Sequence, residues 1–264
     1  MFSPFPPFRT SISPVIQCPG VVAAIVGRGW GVPSWVRAIV APSLIDRVER
    51  DHQQPDHEFR RRRWVVAVVL VVGAVLLGIS LSIRPGDAAF YPLTVAVASA
   101  WVAGALMSGP LHLGWVPFRG RLRRPIITPV ATGLVTGGVF VAGSLVVREI
   151  APLRDSVNDV LAHARYGQTV AILAVALLNG VAEELFFRGA LFAAIGRKHA
   201  VLISTVVYAA ATIVTLNAML VFAAALLGLV LGLQRRATGG VLAPILTHVT
   251  WSTIMLFALP ALIK

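Results

Sequence analysis

The stretch WVVAVVLVVGAVLLGISLSI, residues 64–83, carries no charged side chain at any of its twenty positions. A helix of that length spans about 30 Å, which matches the thickness of the hydrocarbon core of a bilayer. The stretch follows the run Arg60-Arg61-Arg62-Arg63 and ends at the turn Arg84-Pro85-Gly86-Asp87. The sequence therefore predicts a transmembrane helix with polar segments on both sides.

Further apolar runs follow and predict additional spans over residues 88–108, 126–147, 169–194, 201–216, 219–233 and 241–263. Residues 148–167 are mixed and polar, which is typical of a short interfacial helix. The predicted fold class is all-α, a polytopic transmembrane helix bundle of about seven spans. Two small-residue pairs within spans, Gly133 with Gly137 and Gly228 with Gly232, would let helices approach closely, although lipid-facing helices also simply tolerate glycine.

Composition supports a membrane protein, because 57% of the 264 residues are hydrophobic and only 13% are charged. A soluble domain carries about 25% charged residues, since its surface must be hydrated. The formal charge of +12 does not indicate nucleic acid, because the basic residues cluster in the short segments between spans. We expect the lipid bilayer as a partner and no nucleic acid. Cys18 is the only cysteine, which excludes a disulfide framework or a thiolate zinc cluster within one chain.

The basic segments also predict the orientation of the chain. Four of them fall on alternate sides of successive predicted spans: residues 60–63, 119–124, 197–198 and 235–236. Loops rich in Lys and Arg stay in the cytoplasm. We therefore predict a multi-pass protein of the cell membrane with a cytoplasmic N-terminus. Residues 1–63 are rich in Pro, Gly and Arg and are a poor signal peptide, so we expect a mobile cytoplasmic tail ahead of a membrane bundle over 64–264.

The fourth predicted span contains two adjacent carboxylates, Glu183 and Glu184, within NGVAEELFFRG, residues 179–189. An ionised side chain at mid-membrane costs about 2.5–3.5 kcal/mol even on the milder scale, so such residues are functional by default. Glu184 and Arg188 are four residues apart and can pair on one helix face. Glu183 is rotated by about 100° and shares its face with Asn179. The structural alternative is an ion pair that only locks helices together.

The last predicted span contains His248, with Ser252 one helical turn further on. At this spacing both side chains can face the same cavity. A histidine at this depth is either a hydrogen-bonded strut between helices or part of a site that handles protons, a metal or an oxyanion. Because another span carries the paired glutamates, we favour the interpretation of His248 as part of such a site.

The pattern Glu183-Glu184-x-x-x-Arg188, followed by His248-x-x-x-Ser252, resembles the CPBP family of intramembrane proteases, which comprises CAAX prenyl endopeptidases and bacteriocin-processing (Abi) proteins. The resemblance covers about residues 165–260. The family pattern is Glu-Glu-x-x-x-Arg, Phe-x-x-x-His and His-x-x-x-Asn, each on its own helix. Here the second motif aligns with residues 208–212, so that Tyr208 replaces phenylalanine and Thr212 replaces histidine. In the third motif, Ser252 replaces asparagine.

The resemblance implies an endopeptidase that hydrolyses a peptide bond of a membrane-anchored or lipidated peptide. By that resemblance Glu183 would activate a water molecule as the general base, with Glu184 and Arg188 as its positioning pair. His248 would hold the water, a metal or the oxyanion, and Ser252 would assist. The family implies a divalent metal, zinc, as a candidate cofactor, for which Glu183 and His248 would be the ligands. Threonine is a poor ligand and zinc normally has three protein ligands, so we favour a glutamate-base mechanism.

Two other functional classes stay open on the sequence. The histidine missing at Thr212 is also expected of a catalytically inactive protein of the CPBP fold that binds a partner peptide or helix. A small transporter could use the same charges as an ion relay, but no inverted repeat is visible. The sequence contains no His-Glu-x-x-His, no Gly-x-Ser-x-Gly and no glycine-rich nucleotide loop, so no other cofactor is indicated.

Overall fold

A computed structural model describes residues 37, 41–48, 54–118, 120–196 and 198–263. Most of the predicted N-terminal tail lies outside the described residues. Within the described ranges, the helices are α1 Asp56–Ser82, α2 Phe90–Ser108, α3 Ile127–Val147, α4 Ala151–Tyr166, α5 Thr169–Ile195, α6 Ala200–Thr212, α7 Ala218–Thr238 and α8 Leu242–Leu262. A 3-10 turn, Ile213–Thr215, extends α6. Strands β1 (Val116–Phe118) and β2 (Arg121–Arg123) form an antiparallel hairpin between α2 and α3.

Six of these helices, α1, α2, α3, α5, α7 and α8, are long and apolar enough to cross a membrane. The segment Ala200–Thr215 is a shorter apolar helix, which accounts for the seventh predicted span. Large apolar side chains of α1 and α3, such as Val71 and Val135, are about two-thirds exposed (64% and 65%). Such surfaces need lipid rather than water around them. The predicted all-α transmembrane bundle is confirmed, and the chain is a multi-pass membrane protein.

The first helix begins eight residues before the predicted span, at Asp56 rather than Trp64, so the arginine run lies inside α1. Two of these arginines reach carbonyl groups that helix ends leave without a partner, and the third reaches the loop just after α2. Arg61 donates to Met107 O (3.0 Å), Arg62 to Pro110 O (3.3 Å) and Arg63 to Ala194 O (3.1 Å). Residues 56–63 are therefore helical and packed against the ends of α2 and α5, where the sequence predicts the last part of a tail.

These contacts place several basic segments at one end of the bundle. The hairpin that follows α2 joins the same end, because Trp115 N donates to Thr238 O at the end of α7 (2.9 Å). Arg119 and Arg197 lie outside the described residues. The gathering of Arg60–Arg63, β2 and the end of α7 agrees with the alternation that the sequence predicts. That this end faces the cytoplasm remains a prediction.

At the opposite end, the helix expected within residues 148–167 forms as α4. Its side chains are tied to the loops and ends of the spans. His163 Nε2 lies 3.0 Å from Ile83 O, and Arg165 donates to Ile263 O at 2.5 Å. Asn217, which caps α7, donates to Ser156 O in α4 (2.6 Å). The helix α4 therefore closes the bundle at the end away from the arginine run.

Glycine permits two close helix contacts in the bundle. A Cβ at Gly133 in α3 would lie 2.7 Å from Thr250 Cβ in α8, and one at Gly228 in α7 would lie 3.3 Å from Tyr208 Cδ1 in α6. Both distances are shorter than ordinary van der Waals contact. Gly137 and Gly232 lie at similarly tight points of the same two helix pairs. The close approach predicted for both glycine pairs is confirmed, and the second contact brings α6 and α7 to the candidate site.

Candidate active site

The two glutamates lie where α5 changes its helical form. Glu183 is the last residue of the first α-helical part, and the segment Glu184–Leu191 is π-helical before α-helix resumes at Phe192. π-helical segments are rare and are frequently found at functional sites. Every residue of the segment except Leu185 is buried. Neighbouring helices thus surround the segment on nearly all sides, and the carboxylates lie inside the bundle.

An aromatic cluster fixes the rotation of this segment. The indole of Trp101 on α2 lies with its ring centroid 4.7 Å from that of Phe186 and 5.2 Å from that of Phe187. Phe187 in turn contacts Tyr208 of α6 with a centroid separation of 4.7 Å. Aromatic pairs at these separations contribute to packing beyond their buried area. The cluster therefore sets the direction in which the adjacent Glu183, Glu184 and Arg188 project.

Glu184 is fully buried and joins two other predicted site residues. Its Oε1 accepts a hydrogen bond from Arg188 Nη1 at 2.9 Å, which is the ion pair expected from their spacing. The same oxygen lies 2.9 Å from His248 Nδ1 of α8. An ionised carboxylate only accepts hydrogen bonds, so Nδ1 carries the proton in this contact. In the neutral ring this leaves Nε2 with its lone pair, so that Glu184 sets both the tautomer and the orientation of His248.

Glu183 has a different partner from the one its helix face suggests. Glu183 as a residue is partly buried, and its Oε2 accepts a hydrogen bond from the Tyr208 hydroxyl at 2.5 Å. Asn179, which shares its helix face, donates instead to Thr94 O (3.1 Å) and Val175 O (2.9 Å). Asn179 therefore ties α5 to α2, while α6 supplies the group that holds Glu183. The sequence shows the tyrosine in the second motif but gives no sign that its hydroxyl reaches Glu183.

Arg188 is a buried cation with several partners besides Glu184. Its Nη2 donates to Gly228 O at 3.4 Å, and its guanidinium carbon lies 4.5 Å from the Tyr208 ring centroid. The backbone carbonyl of Arg188 accepts a hydrogen bond from Arg235 Nε at 2.6 Å. The sequence predicts Arg235 in a polar turn after residue 233, but α7 extends to Thr238 and buries it. The extended helix thus supplies a support for the site that the sequence does not indicate.

Two of the three residues that depart from the family pattern, Thr212 and Ser252, are placed differently. Thr212 is buried, and its hydroxyl donates to the backbone carbonyl of Tyr208 in its own helix at 2.9 Å. Threonine commonly makes this local bond inside a helix. Ser252 lies one turn after His248 on α8 and is half-buried. Among the described residues, the structure gives its hydroxyl no hydrogen bond to Glu183, Glu184 or His248.

The donor set does not fit a zinc site. Within the described ranges, no three side chains of His, Cys, Asp or Glu are grouped so that they could hold a metal ion. Structural and catalytic zinc sites normally have at least three protein ligands. Glu183 and His248, the predicted ligands, supply at most two, because Glu184 is engaged by Arg188 and His248. The chemistry of the site is therefore derived from its own side chains.

The fold and the site define a class, a multi-pass membrane protein with a carboxylate, arginine and histidine cluster inside its helix bundle. Residues 165–254 match a protein family described as Type II CAAX prenyl endopeptidase Rce1-like. This segment runs from the end of α4 into α8 and contains Glu183, Glu184, Arg188, His248 and Ser252. No curated protein and no solved structure matches the chain. The match confirms the resemblance to the CPBP family for this segment and, at the level of the family, supports a peptidase.

Proposed function

We propose that the chain is an intramembrane endopeptidase that hydrolyses a membrane-associated peptide bond with a water molecule activated by Glu183. One observation carries the proposal. Glu183, a partly buried residue that takes no part in an ion pair among the described residues, lies directly beside fully buried Glu184, which is committed to Arg188 and His248. The adjacent groups are thus divided between a structural ion pair and a carboxylate that takes no part in that pair. That division is what a general base inside a membrane requires.

The proposed reaction begins when Glu183 removes a proton from water as the water oxygen attacks the carbonyl carbon of the peptide bond. The carbonyl oxygen then carries the negative charge of a tetrahedral intermediate. Glu183 returns the proton to the amide nitrogen, and the carbon–nitrogen bond breaks. The products are a carboxylic acid and an amine, and one water molecule is consumed. A positioned side chain that transfers a proton in this way contributes about 10²–10⁴-fold to the rate.

His248 is the second participant, oriented by Glu184. Because its Nδ1 is bound to the Glu184 carboxylate, Nε2 is the ring nitrogen that remains for the water or for the oxygen of the intermediate. In the neutral ring, Nε2 accepts a hydrogen bond from the attacking water and helps to orient it. Ser252 would assist from one turn further along α8. Arg188 holds Glu184 in place through their ion pair.

The proposed substrate is a membrane-anchored or lipidated peptide, in line with the prenyl endopeptidase description of the matched family. The proposed location is the cell membrane, with the arginine-rich end of the bundle and the N-terminus in the cytoplasm. A substrate anchored in the same membrane would approach Glu183 laterally, without leaving the lipid. This arrangement suits a site enclosed by spans.

The test is an assay of purified protein in liposomes against a panel of membrane-anchored and lipidated peptides. Wild type, Glu183→Gln and Arg148→Gln are compared, each with and without a chelator. Arg148 is a matched control, because it is exposed and its ion pair among the described residues is with its neighbour Glu149. We expect cleavage by wild type and Arg148→Gln, little by Glu183→Gln, and no effect of the chelator. Cleavage that persists in Glu183→Gln would contradict the role of Glu183, and cleavage abolished by the chelator would contradict a metal-independent mechanism.

A second candidate function is a catalytically inactive membrane protein that binds a partner peptide or helix through the same site. The observation that favours it is the hydroxyl of Thr212, which bonds to its own helix backbone and adds no base or ligand to the site. In the same liposomes, a photo-crosslinking peptide would then attach near Glu183 but remain uncut by the wild type. Cleavage dependent on Glu183 would contradict this alternative.

A further inference from the structure

Tyr208 connects two groups that face different directions on α5. Its hydroxyl donates to Glu183 Oε2 at 2.5 Å, while the guanidinium carbon of Arg188 lies 4.5 Å from its ring centroid. Arg188 is itself paired with Glu184. A continuous chain of contacts therefore runs from Glu184 through Arg188 and Tyr208 to Glu183. The two carboxylates, which have no hydrogen-bond partner in common among the described residues, are linked through one ring on α6.

The ring of Tyr208 is enclosed by its neighbours. Phe187 lies at a centroid distance of 4.7 Å, and Gly228 of α7 approaches so closely that a Cβ there would be 3.3 Å from Tyr208 Cδ1. Only 8% of Tyr208 is exposed. A ring held by an aromatic neighbour, a cation and a helix backbone has little freedom to rotate. The hydroxyl is therefore a fixed donor, and the carboxylate it holds is fixed with it.

Because of this contact, the two carboxylate oxygens of Glu183 have different roles. Oε2 is engaged by the phenol, whereas no described residue donates a hydrogen bond to Oε1. A general base must present one oxygen at a fixed position and distance from the water, because small misplacements lower the rate strongly. We propose that Tyr208 is a positioning residue of the site, whose hydroxyl holds Oε2 and thereby aims Oε1 at the water. This inference rests on the proposed function of Glu183 as the base.

The role belongs to the hydroxyl rather than to the ring. The ring packs on Phe187, Arg188 and Gly228, and the hydroxyl contacts Glu183. Tyr208→Phe therefore removes the hydrogen bond and keeps the packing. Tyr91→Phe is the matched control, because the Tyr91 hydroxyl also makes a hydrogen bond. It accepts from Gln168 N at 3.0 Å, near the end of the bundle that α4 closes. A general effect of losing a hydroxyl would appear in both variants.

The first arm of the experiment measures kcat and KM in liposomes for wild type, Tyr208→Phe and Tyr91→Phe on a peptide that the wild type cleaves in a Glu183-dependent manner. We expect kcat to fall about 10- to 100-fold in Tyr208→Phe, as for loss of a hydrogen bond to a charged group. KM should change by less than about twofold, because an interaction that serves only the transition state leaves substrate binding intact. An unchanged kcat, or a raised KM with kcat unchanged, would overturn the proposal.

The second arm needs no substrate. Glu183 is labelled with dicyclohexylcarbodiimide, which reacts with carboxyl groups in apolar surroundings, and the rate is followed by mass spectrometry of the peptide that contains it. We expect labelling to be severalfold faster in Tyr208→Phe than in wild type or Tyr91→Phe, because Oε2 is released. Equal rates would show that the phenol does not hold the carboxylate and would overturn the inference.

The two arms separate failure of this inference from failure of the proposed function. If no peptide is cleaved in a Glu183-dependent manner, the proposed function fails and the positioning role fails with it, while the labelling rate still reports whether the phenol and the carboxylate are paired. If Glu183-dependent cleavage is found but Tyr208→Phe behaves as the wild type, only the positioning role is contradicted.

Discussion

Breaking the Glu184 cluster should destabilise the whole bundle. Glu184 and Arg188 are both fully buried, and Glu184 Oε1 serves both Arg188 and His248 at 2.9 Å. Removing one partner of a buried ion pair leaves an uncompensated charge and costs about 3–5 kcal/mol. Glu184→Met removes the acceptor of two donors, whereas Arg188→Met leaves Glu184 with His248. We therefore expect about 4–5 kcal/mol of destabilisation for the first variant and about 3 kcal/mol for the second.

The double variant Glu184→Met/Arg188→Met distinguishes an ion pair from two independent contacts. Because it removes both charges, it should lose less stability than the sum of the two single variants, with a coupling of about 2–3 kcal/mol between the two sites. The assay is equilibrium unfolding in mixed micelles, followed by circular dichroism. Arg148→Gln, which breaks the exposed pair with Glu149, should cost less than about 1 kcal/mol. Additive losses in the double variant, or single losses as small as that of the control, would refute the reasoning.

Three further predictions concern neighbouring residues. Gly228→Val should lower the unfolding temperature and the rate of cleavage, because the new side chain would collide with Tyr208, while Gly143→Val, at an open position on α3, should change neither. Gln234→Met should stabilise the bundle by about 1–3 kcal/mol in the same micelle assay, because the buried amide of Gln234 has no hydrogen-bond partner among the described residues; a loss of stability would contradict this. His248→Gln should lower kcat about 100-fold or more in the liposome assay, and a change confined to KM would argue against a role of the ring in the reaction.

The sequence is sufficient to predict the membrane bundle, because long apolar runs separated by basic loops are typical of polytopic membrane proteins and rare in soluble ones. It is also sufficient for the pair Glu184 and Arg188, since residues four apart meet within one helix. The two helix ends that differ most from the prediction, at Asp56 and at Thr238, share a cause. At each of these ends the arginines bond to backbone carbonyls or are buried in the bundle. A run of basic residues that looks like a loop in the sequence is therefore part of the helix.

The contacts between helices cannot be predicted in the same way. The hydrogen bond from Tyr208 to Glu183 depends on the rotation of α6 relative to α5, which no spacing within either helix determines. The π-helical segment Glu184–Leu191 is likewise invisible in the residue pattern, although it decides which side chains face inward. The sequence predicts His248 beside the glutamates, but its bond to Glu184 rather than Glu183 requires the packed structure. The roles of these residues in catalysis remain predictions.

The central claim is that Glu183 activates the water that cleaves the peptide. Its most direct test is the rate of cleavage of one membrane-anchored peptide in liposomes prepared in water enriched with oxygen-18, by wild type and by Glu183→Gln. We predict one labelled oxygen in the new carboxyl group of the wild-type product, and a rate about 10²–10⁴-fold lower in a Glu183→Gln protein that unfolds like the wild type. Equal rates for the two proteins would contradict the claim.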